Sequence, residues 1–131
     1  LTPLPNTVPA ATDAQINVVA FALREENGQP VSPTNTFVVS DTRVYVFFEY
    51  QSMDQTIEWT YGWYLEDEYL DGNTCRWGTM DEDCPRIFGR FGENYLFYRL
   101  PGGYVPGTYY VRLWIEERYQ GATSFTMTES P

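Results

Sequence analysis

Hydrophobic and polar residues alternate with a period of two along several stretches of this chain, the pattern of strands that bury one face. Thr56 to Leu65 sets Ile57, Trp59, Tyr61, Trp63 and Leu65 on one face and Thr56, Glu58, Thr60, Gly62 and Tyr64 on the other. Arg43 to Tyr50 sets Val44, Val46, Phe48 and Tyr50 against Arg43 and Glu49. Gly107 to Glu116 is the strongest pattern: Tyr109, Val111, Leu113 and Ile115 alternate with Thr108, Tyr110, Arg112, Trp114 and Glu116. Ile16 to Arg24 is apolar, with Val19, Phe21 and Leu23 as its bulkier set, and the turn formers Glu26-Asn27-Gly28-Gln29-Pro30 break the chain after it. A turn near Glu117-Arg118 leads to a last strand around Gly121 to Thr128, which buries Phe125 and Met127.

The middle of the chain has no such period. Glu66 to Gly92 is rich in Gly, Asp and Glu, and reads as a long excursion with at most short strands. Within it, Asp71-Gly72-Asn73 is a tight-turn signal. Asn94 to Leu100 reads as a strand or a single helical turn, ended by Pro101-Gly102-Gly103. No segment sustains a helical period. About seven short strands with Gly/Pro turns predict an all-β sandwich or barrel.

Leu1 to Gln15 carries three prolines among Thr and Ala, and predicts an extended linker ahead of one domain over 16–131. Such an opening suggests that a leader, a membrane anchor or another domain lies upstream. The linker has neither the basic region nor the apolar run of a signal peptide. No apolar run approaches the ~18 residues needed to span a bilayer as a helix.

Composition narrows the chemistry. There is no histidine and no lysine among the 131 residues; all eight basic residues are arginine. No imidazole is available for a Ser-His-Asp triad or a Cys-His pair, and no lysine amine for a P-loop or a Schiff base. Two cysteines without histidine do not complete a tetrahedral zinc site. A net charge of −10 opposes binding to nucleic acid or to an anionic lipid surface.

The cysteines, Cys75 and Cys84, lie close together among acidic residues. A local disulfide is expected, which implies an oxidising compartment; the alternative is two unlinked thiols in a reducing one. A loop this short gains roughly 2–3 kcal/mol in the loop-entropy picture.

Pro106-Gly107-Thr108-Tyr109-Tyr110-Val111-Arg112-Leu113 resembles the penultimate strand of bacterial immunoglobulin-like modules. The PKD and fibronectin type III families carry Pro-Gly-Thr followed by Tyr-x-Val at this place. The resemblance implies an immunoglobulin-like β-sandwich in which Tyr109 closes a corner by bonding back to the backbone and Val111 is buried. It implies that Ala122 to Met127 is the terminal strand, and that Trp59 or Trp63 is the core tryptophan. The short spacing from proline to tyrosine favours the PKD-like comparison, and the Cys75–Cys84 excursion has no counterpart in it. Such modules are mostly non-catalytic spacers or binding modules of secreted and surface proteins.

Four Trp, eleven Tyr and eight Phe exceed the needs of one core. With Tyr109, Val111, Leu113 and Ile115 inward, Tyr110, Arg112 and Trp114 form an outward stripe, joined by Trp77 or Tyr64 from neighbouring segments. Such a stripe suits a protein partner or the faces of sugars, unless the 66–92 excursion covers it. Glu66, Asp67, Glu68, Asp71, Asp81, Glu82 and Asp83 lack EF-hand spacing and read as a solvated acidic loop, with no metal expected. Arg76, Arg86, Arg90 and Arg99 read as loop ion pairs.

The sequence thus predicts a non-enzymatic module of a larger bacterial surface or secreted protein, without cofactor, acting in interaction, sensing or spacing. A carbohydrate-binding module using the aromatic stripe is the alternative. A glycoside hydrolase built on two carboxylates is a remote one.

Overall fold

Alternating side chains fill the space between two sheets. The structure is a computed structural model that describes residues 13–41, 43–54, 56–78 and 92–129. Its strands are β1 (Gln15–Ala22), β2 (Glu25–Glu26), β3 (Gln29–Pro30), β4 (Thr36–Val38), β5 (Val44–Gln51), β6 (Glu58–Leu65), β7 (Glu68–Arg76), β8 (Gly92–Tyr98), β9 (Gly107–Ile115) and β10 (Arg118–Thr128). One sheet has the order β1-β5-β8 and the other β4-β10-β9-β6-β7, while β2 and β3 form a hairpin. Pairing is antiparallel except between β4 and β10, which run parallel. The described residues contain no helix, so the chain is all-β with sandwich-like packing.

The core lies between the sheets. Val44, Val46 and Phe48 project from the three-stranded sheet; Trp59, Trp63, Val111, Leu113 and Ile115 project from the five-stranded one. Aromatic contacts tie the two layers: Phe48 to Trp59 at 6.1 Å, Phe21 to Phe125 at 5.1 Å, and Trp63 stacked on Tyr98 at 5.0 Å between ring centroids. Each such side chain stabilises the fold by about 2–3 kcal/mol when fully buried. Both Trp59 and Trp63 are core tryptophans. The inward set expected of Gly107 to Ile115 is the observed one: Tyr109, Val111, Leu113 and Ile115 are all buried.

Tyr109 is fixed at both ends. Its ring stacks on Phe125 at 5.2 Å, and its hydroxyl donates to the Val105 carbonyl at 2.7 Å and accepts from the Val105 N–H at 3.0 Å. Tyr104 makes a second buried tie, donating to the Tyr98 carbonyl at 2.6 Å. Together they hold the 99–106 connection against the ends of β8 and β9.

Four expectations are corrected. In β1 the pairing with β5 shifts register between Val18 and Ala20, and that extra residue turns Val19 outward, 52% exposed. Phe21 is buried, but the inward set before the shift is Ile16 and Val18, and Leu23 lies half exposed beyond the strand. The 66–92 stretch is not a featureless excursion: its first part is the nine-residue β7, paired with β6 from Glu58–Arg76 to Leu65–Glu68. Asp71-Gly72-Asn73 lies inside that strand, and the tight turn is at Glu66-Asp67, where Glu66 has a φ of 51°. Gly72 faces Gly62 across the ladder, and a Cβ there would sit 2.2 Å from the Tyr61 carbonyl oxygen. The glycine permits close strand approach rather than a turn. The last strand begins at Arg118, because the turn falls at Glu116-Glu117, both with positive φ as a two-residue hairpin requires. For 94–100 the alternatives resolve to strand β8, followed by a turn at Pro101-Gly102.

Ala14 is buried in the core and Gln15 opens β1, so the folded unit includes both; residues 1–12 of the expected linker lie outside the described residues. Asn27 and Gly28, with φ of 53° and 79°, form the turn joining β2 to β3.

Candidate functional site

The outer face of the five-stranded sheet brings four of the five expected site residues together. Alternation places Tyr110, Arg112 and Trp114 of β9 on this face. Register then sets Tyr64 beside Tyr110, Gly62 beside Arg112 and Thr60 beside Trp114. The ladder continues into β7, with Thr74 beside Thr60, Gly72 beside Gly62 and Tyr69 beside Tyr64. Three rows therefore cross the strands. Trp114, Thr60 and Thr74 form one, Arg112 and the two glycines the next, and Tyr110, Tyr64 and Tyr69 the third.

Gly62 and Gly72 line a shallow, open trough of about 670 Å³. Trp114, Thr60, Thr74 and Glu117 line one side; Tyr64 and Tyr69 line the other. Asn73 and Tyr61 contribute to the same lining. The Thr60 and Thr74 hydroxyls bond each other at 2.8 Å. Tyr69 meets Tyr64 edge-on at 5.5 Å and is 56% exposed, and Trp114 packs at 5.5 Å against the buried Tyr119.

Arg112 lies on the same face beside the trough, outside its lining. Its guanidinium carbon lies 4.0 Å from the centre of the Tyr64 ring, and Nη2 lies 3.6 Å from Oδ1 of Asp67 in the β6–β7 turn. Its side chain is largely buried, and Nε has no hydrogen-bond partner among the described residues. Desolvation raises the pKa of the Tyr119 hydroxyl; Arg112 lowers it and Tyr64 adds to the rise. The Tyr69 hydroxyl is raised as well, first by desolvation and then by Asp71 and Tyr64. Both phenols hold their protons at neutral pH, the form able to donate a hydrogen bond.

Trp77 is not part of this face. It is 2% exposed, its N–H backbone group donates to the Ile57 carbonyl at 2.8 Å, and its ring meets Tyr50 at 4.6 Å and Trp59 at 5.6 Å. The residue follows the end of β7, so it turns in beneath Trp59 and serves the core. Cys75 lies not in a loop but in β7 opposite Trp59, with its side chain buried. Cys84 lies outside the described residues, as do Asp81, Glu82, Asp83, Arg86 and Arg90. Glu66 is engaged by the fold, accepting from the Thr108 N–H at 3.2 Å.

Tyr69, Gly72 and Thr74 were hidden from sequence reasoning because β7 is an edge strand with one fully buried residue and a register shift opposite Trp63 and Tyr64. The usable signal was the Gly62–Gly72 pair: two glycines able to face each other across a hairpin turning at Glu66-Asp67.

A second aromatic group, on the outer face of the three-stranded sheet, also escaped the sequence reading. Tyr45 lies 5.6–6.3 Å from Phe47, Tyr95 and Phe97, Phe47 lies 5.6 Å from Tyr95, and Arg43 sits 4.9 Å from the Phe97 ring centre. Phe47 is fully covered there, which makes this a small satellite core with Phe97 at its exposed rim.

Comparison with known proteins finds no family model and no curated protein that matches this chain.

Proposed function

We propose that this chain is a non-enzymatic, extracellular binding module of a larger bacterial surface or secreted protein, using the outer face of its five-stranded sheet. The observation that carries this reading is the exposed trough itself: Tyr64, Tyr69 and Trp114 line one open depression on the outer face of a sheet rather than on a loop. Glu117 is the single carboxylate among the lining residues described, whereas glycoside hydrolysis needs two facing each other across the bond.

The fold is read as immunoglobulin-like, of the PKD or fibronectin type III kind. Three features support this. The chain starts in one sheet as β1 and crosses so that β4 runs parallel to the final strand of the other. The β9–β10 hairpin sits between β4 and β6. Tyr109 bonds back to Val105 just ahead of β9. A Cys75–Cys84 disulfide belongs to the same reading. It would tie the end of β7 to the acidic segment that follows, and no free cysteine occurs among the described residues.

The test is association of fluorescently labelled protein with a panel of intact bacterial and eukaryotic cells. The wild type is expected to label at least one cell type, and a Tyr69→Ala/Trp114→Ala variant with unchanged melting temperature is expected to lose that labelling. Absence of labelling on every cell type, or equal labelling by the variant, contradicts the proposal.

A further inference from the structure

The trough's chemistry selects a ligand class, and this inference rests on the binding-module reading above. We infer that the trough takes a neutral polysaccharide chain, with pyranose faces against Tyr69 and Trp114.

Spacing is the first argument. Thr60 and Tyr64 lie four residues apart on β6, about 13 Å along an extended strand. The row between them is Gly62 and Gly72, with the Tyr64 ring leaning over Gly62, so the trough opens beside that ring and is lined by Tyr69 and Trp114 as well. The Gly62 position is closed to larger residues, since a Cβ there would meet the Tyr64 ring at 2.7 Å. A side chain at that place would push the wall out of position.

Polarity is the second argument. A pyranose presents flat C–H faces and a rim of hydroxyls. Aromatic rings cover the faces, and fixed polar groups meet the rim. Here Tyr69 and Trp114 supply the rings, while the Thr60–Thr74 hydroxyl pair and the Glu117 carboxylate supply polar groups along one side. The trough is open rather than enclosed, so it admits the interior of a chain and does not require an end.

Charge decides which polysaccharides. Among the described residues the lining holds Glu117 and no basic residue, and the adjacent Arg112 is committed to Asp67 and to the Tyr64 ring. The chain carries −10 overall. An anionic polymer is repelled. A neutral one is not.

The experiment is affinity electrophoresis through gels containing xyloglucan, glucomannan, galactomannan, laminarin or dextran, with polygalacturonate and heparin as anionic probes. At least one neutral gel is expected to retard the wild type, and neither anionic gel. Tyr69→Ala and Trp114→Ala are each expected to weaken the retarding interaction about tenfold. Phe97→Ala, on the other sheet, is expected to leave it unchanged. Retardation by an anionic gel alone, by no gel, or equally in the trough variants overturns the inference. Periodate treatment of the labelled cells separates the two levels. Trough-dependent labelling that survives periodate, with no gel active, sinks the glycan ligand and leaves the binding module standing. No labelling and no retardation sink both.

Discussion

The Tyr109 hydroxyl holds both polar groups of one residue's backbone, donating to the Val105 carbonyl and accepting from the Val105 N–H. One phenol thereby fixes the turn that delivers β9, the strand carrying Arg112 and Trp114. Tyr109→Phe keeps the stack on Phe125 and leaves both backbone groups short of a partner. A loss of about 1–3 kcal/mol in urea unfolding is expected. A change below about 0.3 kcal/mol would mean that the turn holds without the hydroxyl.

Three phenols near this turn set an alkaline limit. Burial is the main cause of the raised pKa at Tyr98, Tyr104 and Tyr109, and Tyr98 is pushed up to about 12 from an ordinary value of 10. The folded state therefore holds these protons more tightly than the unfolded chain. Their stabilisation is complete below about pH 10 and is lost as pH rises through about 12. Denaturant midpoints followed with tyrosinate absorbance should fall over that window, with the late-titrating phenols ionising as the fold opens. A midpoint that holds constant across the window contradicts the assignment.

Two glycines separate space from conformation. Gly72→Ala drives a Cβ against the Tyr61 carbonyl and the Gly62 backbone, where nothing yields cheaply. A loss of at least about 2 kcal/mol is expected, together with loss of trough binding as β7 parts from β6. Gly28→Ala meets open space but must adopt a φ of +79°, and is expected to lose only about 1 kcal/mol. Equal effects in chemical unfolding would refute the close-approach account of Gly72.

Strands that bury one face regularly were legible in the sequence. Val44 to Tyr50, Ile57 to Leu65 and Tyr109 to Ile115 each set every second residue toward the core, so a period of two reveals both the strand and its inward side. Tyr64, Tyr110, Arg112 and Trp114 were found for the same reason, as the complement of an inward set. Val19 misled because a register shift reverses the phase in mid-strand, and alternation carries no mark of the extra residue. β7 misled because an edge strand needs little apolar surface, and Asp71-Gly72 is turn chemistry in any context but a close strand pair. Trp77 misled because a tryptophan next to an acidic segment reads as exposed, whereas its place is set by β6 contacts distant in sequence.

Pairing of Cys75 with Cys84 is open to a direct check. Intact mass is expected to rise by two hydrogens on reduction, and the reduced protein to lose roughly 2–3 kcal/mol of stability. An unchanged mass would remove the disulfide, and with it the argument for an oxidising compartment.

The most direct test of the binding face uses the four indole N–H signals of the isotope-labelled protein. Trp59, Trp63 and Trp77 are at most 3% exposed, while Trp114 borders the trough. On titration with a solubilised cell-envelope fraction or with a retarding polysaccharide, the Trp114 signal should shift together with the Gly62, Gly72 and Tyr69 amides, and the other three indoles should stay in place. A still Trp114 signal, with changes at Tyr45 and Phe97 or nowhere, would contradict the account.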